Sequence, residues 1–171
     1  MRMQLRLFLA GVVVVTGAVA WAQVSPTQKP AISLTISVAQ QTLKAGTVLN
    51  VKAALVNNSN QSISLWWGSG EGVPYSVEVR RIQDQKLASE TRPGLIRNHR
   101  IALSELTPQE LDRSGASFIL KPGESSNEGY DVSKYYDLTT PGEYTVQLIT
   151  PQIPEIKGEF KSNVLTVTVT P

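Results

Sequence analysis

Strict alternation of apolar and polar residues recurs along most of this chain and limits its fold more than any other feature. From Ile32 to Val38 every second residue is apolar, and the residues between them are Ser or Thr. A period of two places the two sets of side chains on opposite faces, so this segment is predicted to be a half-buried β-strand. The same alternation recurs in further short segments, whose predicted inward positions are Leu49, Val51, Ala53, Leu55, Ile63, Leu65, Trp67, Tyr75, Val77, Val79, Phe118, Leu120, Tyr144, Val146, Leu148, Leu165, Val167 and Val169.

These segments, with a short edge strand expected at Gly129 to Val132, amount to seven to nine strands separated by turn residues. That pattern predicts an all-β fold, an immunoglobulin-like antiparallel β-sandwich. One short helix is expected at 108–112, because Thr107, Pro108 and Glu110 match an N-cap, a first helical position and a capping box. The helix lies in the longest segment without strands, residues 88–116. Loops of this length are uncommon and are often functional.

The first 22 residues have the features of a secretory signal peptide. Arg2 and Arg6 give a positive start, residues 7–19 are almost purely apolar, and Ala20 and Ala22 are small residues at the positions that signal peptidase reads. A retained membrane anchor is the alternative, but the apolar run is shorter than the roughly 20 residues that span a bilayer. The sequence therefore predicts export, with a secreted or periplasmic location and no membrane association after cleavage.

The predicted organisation is a signal peptide at 1–22, a polar spacer at 23–30 and one β-sandwich domain at 31–171. The whole chain has 16 Lys and Arg residues against 14 Asp and Glu, and two of the basic residues are in the leader. The mature chain thus has 14 of each sign, so its charge gives no reason to expect a nucleic-acid partner.

Residues that carry familiar catalytic or metal chemistry are scarce. The chain has no Cys, which excludes a thiolate metal site and a Cys nucleophile, and its single His is His99. A zinc site with two His ligands is therefore excluded, and His99 is expected to be a solvated loop residue. Acidic residues are densest at Glu124, Glu128, Asp131 and Asp137, and ordinary surface carboxylates are expected there. The sequence predicts no cofactor, no metal and no enzyme activity.

One turn carries the sharpest resemblance to a known family. Leu138, Pro141-Gly142 and then Tyr144 at the start of an alternating strand resemble the tyrosine corner of immunoglobulin-like and fibronectin-like domains. The resemblance implies that the Tyr144 hydroxyl bonds back to upstream main chain. The antibody-type cysteines are absent, so the chain resembles exported bacterial immunoglobulin-like domains of unassigned function.

Two other families share turn residues with this chain. Leu120-Lys121-Pro122-Gly123-Glu124-Ser125 is similar to the β-rich region that precedes the catalytic domain of deuterolysin-type zinc peptidases. Leu43 to Thr47 and Leu55 to Ser59 are similar to small bacterial β-sandwich proteinase inhibitors. The His-Glu-x-x-His motif is absent, so peptidase activity does not carry over.

The function predicted from these features is a non-catalytic binding or protein-interaction module. Trp66, Glu71 and Tyr75 are the candidate binding surface, because alternation places Trp66 on a face with Ser62 and Ser64, next to a glycine-rich loop. The expected partner is a protein, a peptide or a glycan. Two alternatives for Trp66 stay open: a bulge turns it into the core, or the 88–116 segment covers it. The alternative functions are a proteinase inhibitor that uses the 88–116 loop and, less favoured, a hydrolase or metal-dependent enzyme.

Cleavage after Ala22 is expected to leave Gln23 as the mature N-terminus. The intact mass of the exported protein measures this directly. A mass that still includes residues 1–22 would show that the leader is kept as an anchor.

Overall fold

The structure is a computed structural model, and it describes residues 29–67, 75–98, 100–111, 116–150, 156 and 158–171. Within these residues the chain forms two short α-helices and nine β-strands. The helices are α1 (Arg92–Arg97) and α2 (Pro108–Leu111), and 3-10 turns form at Leu103–Glu105 and Val132–Lys134. The strands are β1 (Ile32–Val38), β2 (Thr42–Lys44), β3 (Asn50–Asn57), β4 (Ile63–Trp67), β5 (Ser76–Arg81), β6 (Ala116–Leu120), β7 (Ser125–Asp131), β8 (Gly142–Ile149) and β9 (Leu165–Thr170).

The strands form two main sheets and a two-stranded ribbon. The first sheet has the order β1-β3-β7, the second has the order β2-β9-β8-β5, and β4 pairs with β6. All pairings are antiparallel except that of β2 with β9. The fold is an all-β, immunoglobulin-like sandwich, as the alternation predicted.

The apolar core receives side chains from both main sheets. In the strands at its centre, Val51, Leu55, Val79, Val146 and Val167 are completely buried. Neighbouring residues on the same strands are more exposed, so the two-residue period of the sequence matches the burial. The core assembles without disulfide bonds, because the chain has no Cys.

The ladder between β3 and β7 continues into the ribbon of β4 and β6 through a bend at Asn57. Its side chain is fully buried, and its Nδ2 donates to the carbonyl oxygens of Gln61 (2.8 Å) and Leu120 (2.9 Å). Its Oδ1 accepts from the Ser59 amide at 3.0 Å. A buried amide with these partners replaces the main-chain bonds that the bend interrupts.

The tyrosine-corner hydrogen bond is present. Tyr144 begins the buried series of β8, is 1% exposed, and donates from its hydroxyl to the Thr140 carbonyl oxygen at 2.8 Å. The bond fixes the Thr140–Gly142 turn against the strand that follows it. Gly142 adopts a φ of 153°, which favours glycine at this turn.

The helical content differs from the expectation of one short helix. The capping box at Thr107 forms as the sequence indicates: the Thr107 amide donates to Glu110 Oε2 at 2.7 Å, and the Glu110 amide donates to Thr107 Oγ1 at 3.3 Å. Helix α1 is an additional element that the sequence analysis missed. Thr91 is its N-cap, but Pro93 and Gly94 in its first turn are residues that also mark loops.

The expected edge strand at Gly129 to Val132 is also longer in the structure, because β7 begins at Ser125. Ser, Asn and Gly have low strand propensity, and pairing with β3 along the whole segment overrides it.

Replacing Tyr144 tests how much the corner contributes to stability. Tyr144→Phe keeps the buried ring and loses one hydrogen bond, so it should lower the free energy of unfolding by about 0.5–1.5 kcal/mol. Tyr144→Ala removes the ring and should cost about 3–5 kcal/mol. Urea unfolding of both variants measures the difference, and equally small effects would contradict a structural role for this residue.

Candidate functional site

Of the three residues of the predicted binding surface, only Tyr75 has a described side chain. Trp66 lies in β4, where its main chain pairs with Ser117, but its side chain is outside what the structure describes. Glu71 lies outside the described residues. Tyr75 is only 4% exposed and packs edge-on against Tyr130, with ring centroids 6.0 Å apart. The assignment of Tyr75 to an exposed surface was therefore wrong, because its ring belongs to the core.

The first part of the 88–116 segment is docked against the sandwich. The Thr91 amide donates to the Tyr135 carbonyl oxygen at 3.0 Å, and the Thr91 hydroxyl donates to the Lys134 carbonyl oxygen. Gly94 is buried in α1, and a Cβ atom at this position would overlap the carbonyl oxygen of Tyr135. Only glycine allows α1 to approach the main chain this closely.

Arg97, at the end of α1, lies among three tyrosines. Its Nε donates to the Tyr75 carbonyl oxygen at 3.0 Å, and its Nη1 donates to the Tyr135 hydroxyl at 3.2 Å. The guanidinium carbon is 4.7 Å from the centroid of the Tyr135 ring and 5.7 Å from that of Tyr130. Such cation–π contacts strengthen when they are shielded from water, so Arg97 holds the end of α1 in place.

A buried polar cluster continues this attachment. The Tyr136 hydroxyl donates to the Val77 carbonyl oxygen at 2.6 Å, and the Val77 amide donates to Asn98 Oδ1 at 3.3 Å. Asn98 Nδ2 donates to Glu90, whose side chain is 7% exposed and pairs with Arg100 Nε at 3.2 Å. Burial, followed by the Glu90 carboxylate, raises the pKa of Tyr136 to about 12, so its hydroxyl keeps its proton.

These contacts close the outer edge of β5. The main chain of Val77 bonds to side chains, and the Val79 carbonyl oxygen accepts from the Ala88 amide at 2.9 Å. The Arg81 amide donates to the Lys86 carbonyl oxygen at 2.9 Å. The segment that the sequence analysis proposed as a functional loop thus covers an edge strand with its first part.

The second part of the segment is held by an ion pair. Arg92 donates to Glu110 from Nε at 2.8 Å and from Nη2 at 3.0 Å. The hydrogen bond from Arg92, followed by that from the Thr107 amide, lowers the pKa of Glu110 to about 2. Glu110 therefore joins α1 to α2 in its charged form.

The edges of the main sheets differ in how far their main-chain groups are already satisfied. At β1, Asn163 Oδ1 accepts from the Ile36 amide at 2.7 Å, and its Nδ2 donates to the Ile36 carbonyl oxygen at 3.0 Å. This side chain occupies the middle of the β1 edge. Strand β2 has only three residues. Strand β7 is seven residues long, and among the described strands it pairs with β3 alone.

The hydrogen-bond pattern shows which groups of β7 face outward. The Val132 amide donates to the Leu49 carbonyl oxygen at 2.9 Å, and the Asn57 amide donates to the Glu124 carbonyl oxygen at 3.0 Å. Bonded pairs recur at every second residue of an antiparallel ladder, so the even-numbered residues of β7 bond to β3. The outward main-chain groups, called the β7 edge below, belong to Ser125, Asn127, Gly129 and Asp131. They make no main-chain hydrogen bond to the described parts of neighbouring segments.

The outer face beside the β7 edge is open. Ser125, Asn127 and Gly129 are exposed, and a Cβ atom at Gly129 would meet nothing within 4 Å. Residues of β1, β3 and β7, among them Thr35, Lys52 and Ala54, line a depression of about 610 Å³ next to it. Side chains therefore leave room for another chain at this edge.

Two polar groups on the inner side of β7 have few partners or none among the described residues. Glu128 is half-buried and forms no ion pair with the described residues. Tyr130 is 4% exposed, and its hydroxyl has no hydrogen-bond partner among the described residues. Burial, followed by Glu128, raises the pKa of Tyr75, and burial, followed by Tyr75, raises that of Tyr130. Both hydroxyl groups are therefore neutral.

Among the described residues, no group of three or more His, Cys, Asp and Glu side chains is arranged to hold a metal ion. No described helix has the length and apolar character needed to cross a membrane.

Comparisons with known proteins give only distant matches. No protein-family model and no curated protein matches the chain. Among solved structures, the CARDB domain of the Pyrococcus furiosus PF1109 protein, in complex with di-metal ions, is 10% identical, with a TM-score of 0.42 and coverage of 81% of this chain and 87% of that one. Spo0M, the sporulation control protein of Bacillus subtilis, is 11% identical, with a TM-score of 0.45 and coverage of 83% and 50%. The ASH/PapD-like domain of human CEP192 is 10% identical, with a TM-score of 0.35 and coverage of 90% and 95%.

Two glycines test the roles assigned to α1 and to β7. Gly94→Ala should lower the free energy of unfolding by about 1–3 kcal/mol, because the added methyl group meets the Tyr135 main chain. Gly129→Ala is the matched control and should change it by less than about 0.5 kcal/mol, because the space there is open. Urea midpoints measure both. A neutral Gly94→Ala would show that α1 is not held closely against the sandwich.

Proposed function

We propose that this chain is an exported, non-catalytic protein-interaction module that binds an extended segment of its partner along the β7 edge. Binding of this kind adds a strand to an existing sheet. Main-chain hydrogen bonds provide affinity, and alternate side chains of the added strand provide specificity. Export is supported by the signal-peptide features of the first 22 residues.

The observation that carries the proposal is the difference between β7 and the edges of β1 and β5. An exposed row of amide and carbonyl groups is a template for pairing, and proteins usually block it with charged side chains, Pro, bulges or a covering segment. Asn163 blocks β1 in this way, and the Lys86–Asn98 segment covers β5. Strand β7 contains no Pro and no Lys, and its ladder with β3 runs without a bulge. Its two charged residues, Glu128 on the inner side and Asp131 at the end, are both acidic.

The structure gives less support to a proteinase inhibitor that uses the 88–116 loop. The described part of that loop contains α1, a 3-10 turn and α2, and its beginning is docked on the sandwich. It offers no extended strand there for insertion into a cleft. For an enzyme, the described hydroxyls that contact a carboxylate, such as Ser133 at Asp131 and Thr139 at Asp137, do so within local turns two residues apart, which is how such side chains stabilise turns.

Proline at position 127 tests the proposal, because it removes one outward amide hydrogen and no bond to β3. A phage-displayed library of random peptides of about 12 residues, longer than a usual strand, provides the probe. Selected peptides should bind the wild type and Asn127→Ala equally. Asn127→Pro should weaken binding by at least about tenfold, because the added strand loses a hydrogen bond and meets the proline ring.

Asn127→Ala is the matched control, because it removes the same side chain and keeps the amide hydrogen. Circular dichroism and urea unfolding should show that Asn127→Pro stays folded, since Pro is tolerated where the amide faces away from the sheet. If that variant unfolds, Gly129→Pro provides the same test. Peptides that bind the proline variant as tightly as Asn127→Ala, or a library that yields no binders, would overturn the proposal.

A further inference from the structure

The inner side of β7 contains unsatisfied groups that point to the chemistry of the partner. Side chains of even-numbered residues in β7 face the interior, and Ser126, Glu128 and Tyr130 are successive members of this series. A strand added at the β7 edge would place every second side chain beside them. This inference rests on the proposed function, because it requires a strand at that edge.

Glu128 is the charged member of the series. It is half-buried at the side of the sandwich and has no ion-pair partner among the described residues. Each of the other carboxylates beside it is already engaged: Asp131 Oδ1 accepts from the Ser133 amide at 3.0 Å, and Glu124 Oε2 accepts from the Lys121 amide at 2.8 Å. Glu128 has only a long contact, 3.4 Å, from the Ser126 hydroxyl. A half-buried carboxylate with so few partners favours a nearby cation.

Tyr130 provides a second, independent observation. Its hydroxyl is buried without a hydrogen-bond partner, which is rare in folded proteins and costs free energy. Its ring already contacts one guanidinium group, that of Arg97, and packs against Tyr75. The phenol oxygen can accept a hydrogen bond, and an aromatic ring attracts a cation. Tyr130 and Glu128 are neighbours on one face of one strand, so a basic side chain that pairs with Glu128 also comes close to the Tyr130 side chain.

A second copy of this chain fits the same edge poorly. Antiparallel pairing of two complete β7 strands puts Ser125 opposite Asp131, which places Glu128 directly opposite Glu128 of the other copy. Like charges in this position are destabilising. Strand β7 has two acidic residues and no basic residue, so a segment of opposite charge complements it better.

We infer that the partner is an extended basic segment, and that one of its Lys or Arg side chains enters between Glu128 and Tyr130 when the segment pairs with β7. The main chain of the partner then completes the β7 edge. Its basic side chain satisfies the Glu128 carboxylate and the Tyr130 hydroxyl together. The side chains that alternate with it lie on the open outer face beside Gly129.

Sequencing of the selected peptides tests this inference in the same library. Peptides that bind the full wild-type chain should be enriched in Lys or Arg at one fixed position. Glu128→Gln should weaken the binding of these peptides by about tenfold, because a charge-assisted hydrogen bond becomes a neutral one. Tyr130→Phe should weaken it to a smaller extent. Raising NaCl from about 50 mM to about 300 mM should weaken wild-type binding more than Glu128→Gln binding.

Glu143→Gln is the matched control, because Glu143 is an exposed carboxylate on β8 in the other main sheet. It should leave affinity unchanged, and circular dichroism should show that all three variants fold. Peptides that Asn127→Pro rejects, but that show no basic position and bind Glu128→Gln normally, would overturn this inference and leave strand addition intact. Sedimentation velocity tests for a dimer. If the wild type is a dimer and Asn127→Pro is a monomer, a second copy of the chain occupies the β7 edge, and the inference of a basic partner is overturned as well. If Asn127→Pro binds the selected peptides as tightly as Asn127→Ala does, the proposed function itself is wrong.

Discussion

Main-chain groups at the side of a β-sheet need partners, and the way this requirement is met at β5 determines the position of much of the chain. The Lys86–Asn98 segment lies along β5 because Ala88, Asn98 and the neighbouring Tyr136 bond to its outward groups. Helix α1 is then placed against Tyr135, and the side chain of Glu90 is buried. The positions of α1, of Tyr136 and of the buried Glu90 carboxylate therefore follow from the closure of the β5 edge.

Closing β5 in this way requires the burial of charge, which is costly unless each charged group has partners. Glu90 has two kinds of partner, the Arg100 guanidinium and the Asn98 amide, and Arg97 has the tyrosine rings. A chain without Cys has no disulfide bond between its sheets. These hydrogen bonds and ion pairs depend on direction more than apolar contacts do, so they help to fix how the segment packs on the core. Since partly satisfied networks destabilise a fold, α1 is expected to dock as a unit or not at all.

The sequence predicts the parts of this fold that depend on local pattern and leaves out those that depend on contacts between distant residues. Alternation identifies the inward series Tyr75, Val77 and Val79, and the capping box identifies α2. The same alternation already placed Tyr75 inside, so its assignment to a binding surface gave too much weight to the neighbouring glycine-rich loop. The burial of Gly94 under Tyr135 and the blocking of β1 by Asn163 join residues that are far apart in the sequence. No local pattern encodes such pairs, and the β7 edge is recognised only by comparison with the blocked edges of β1 and β5.

The composition of β7 limits aggregation at its unblocked edge. Apolar side chains beside an exposed edge promote aggregation, whereas the outward residues of β7 are Ser, Asn, Gly and Asp. The side chains of these residues add little to the affinity for a partner strand, so a segment that forms only main-chain hydrogen bonds with β7 would bind weakly. A segment that also supplies a cation gives Glu128 an ion-pair partner and the Tyr130 hydroxyl a hydrogen-bond partner, and the described residues provide neither. Selectivity at such an edge arises because the attractive groups lie on its inner side, where only a correctly paired strand can reach them.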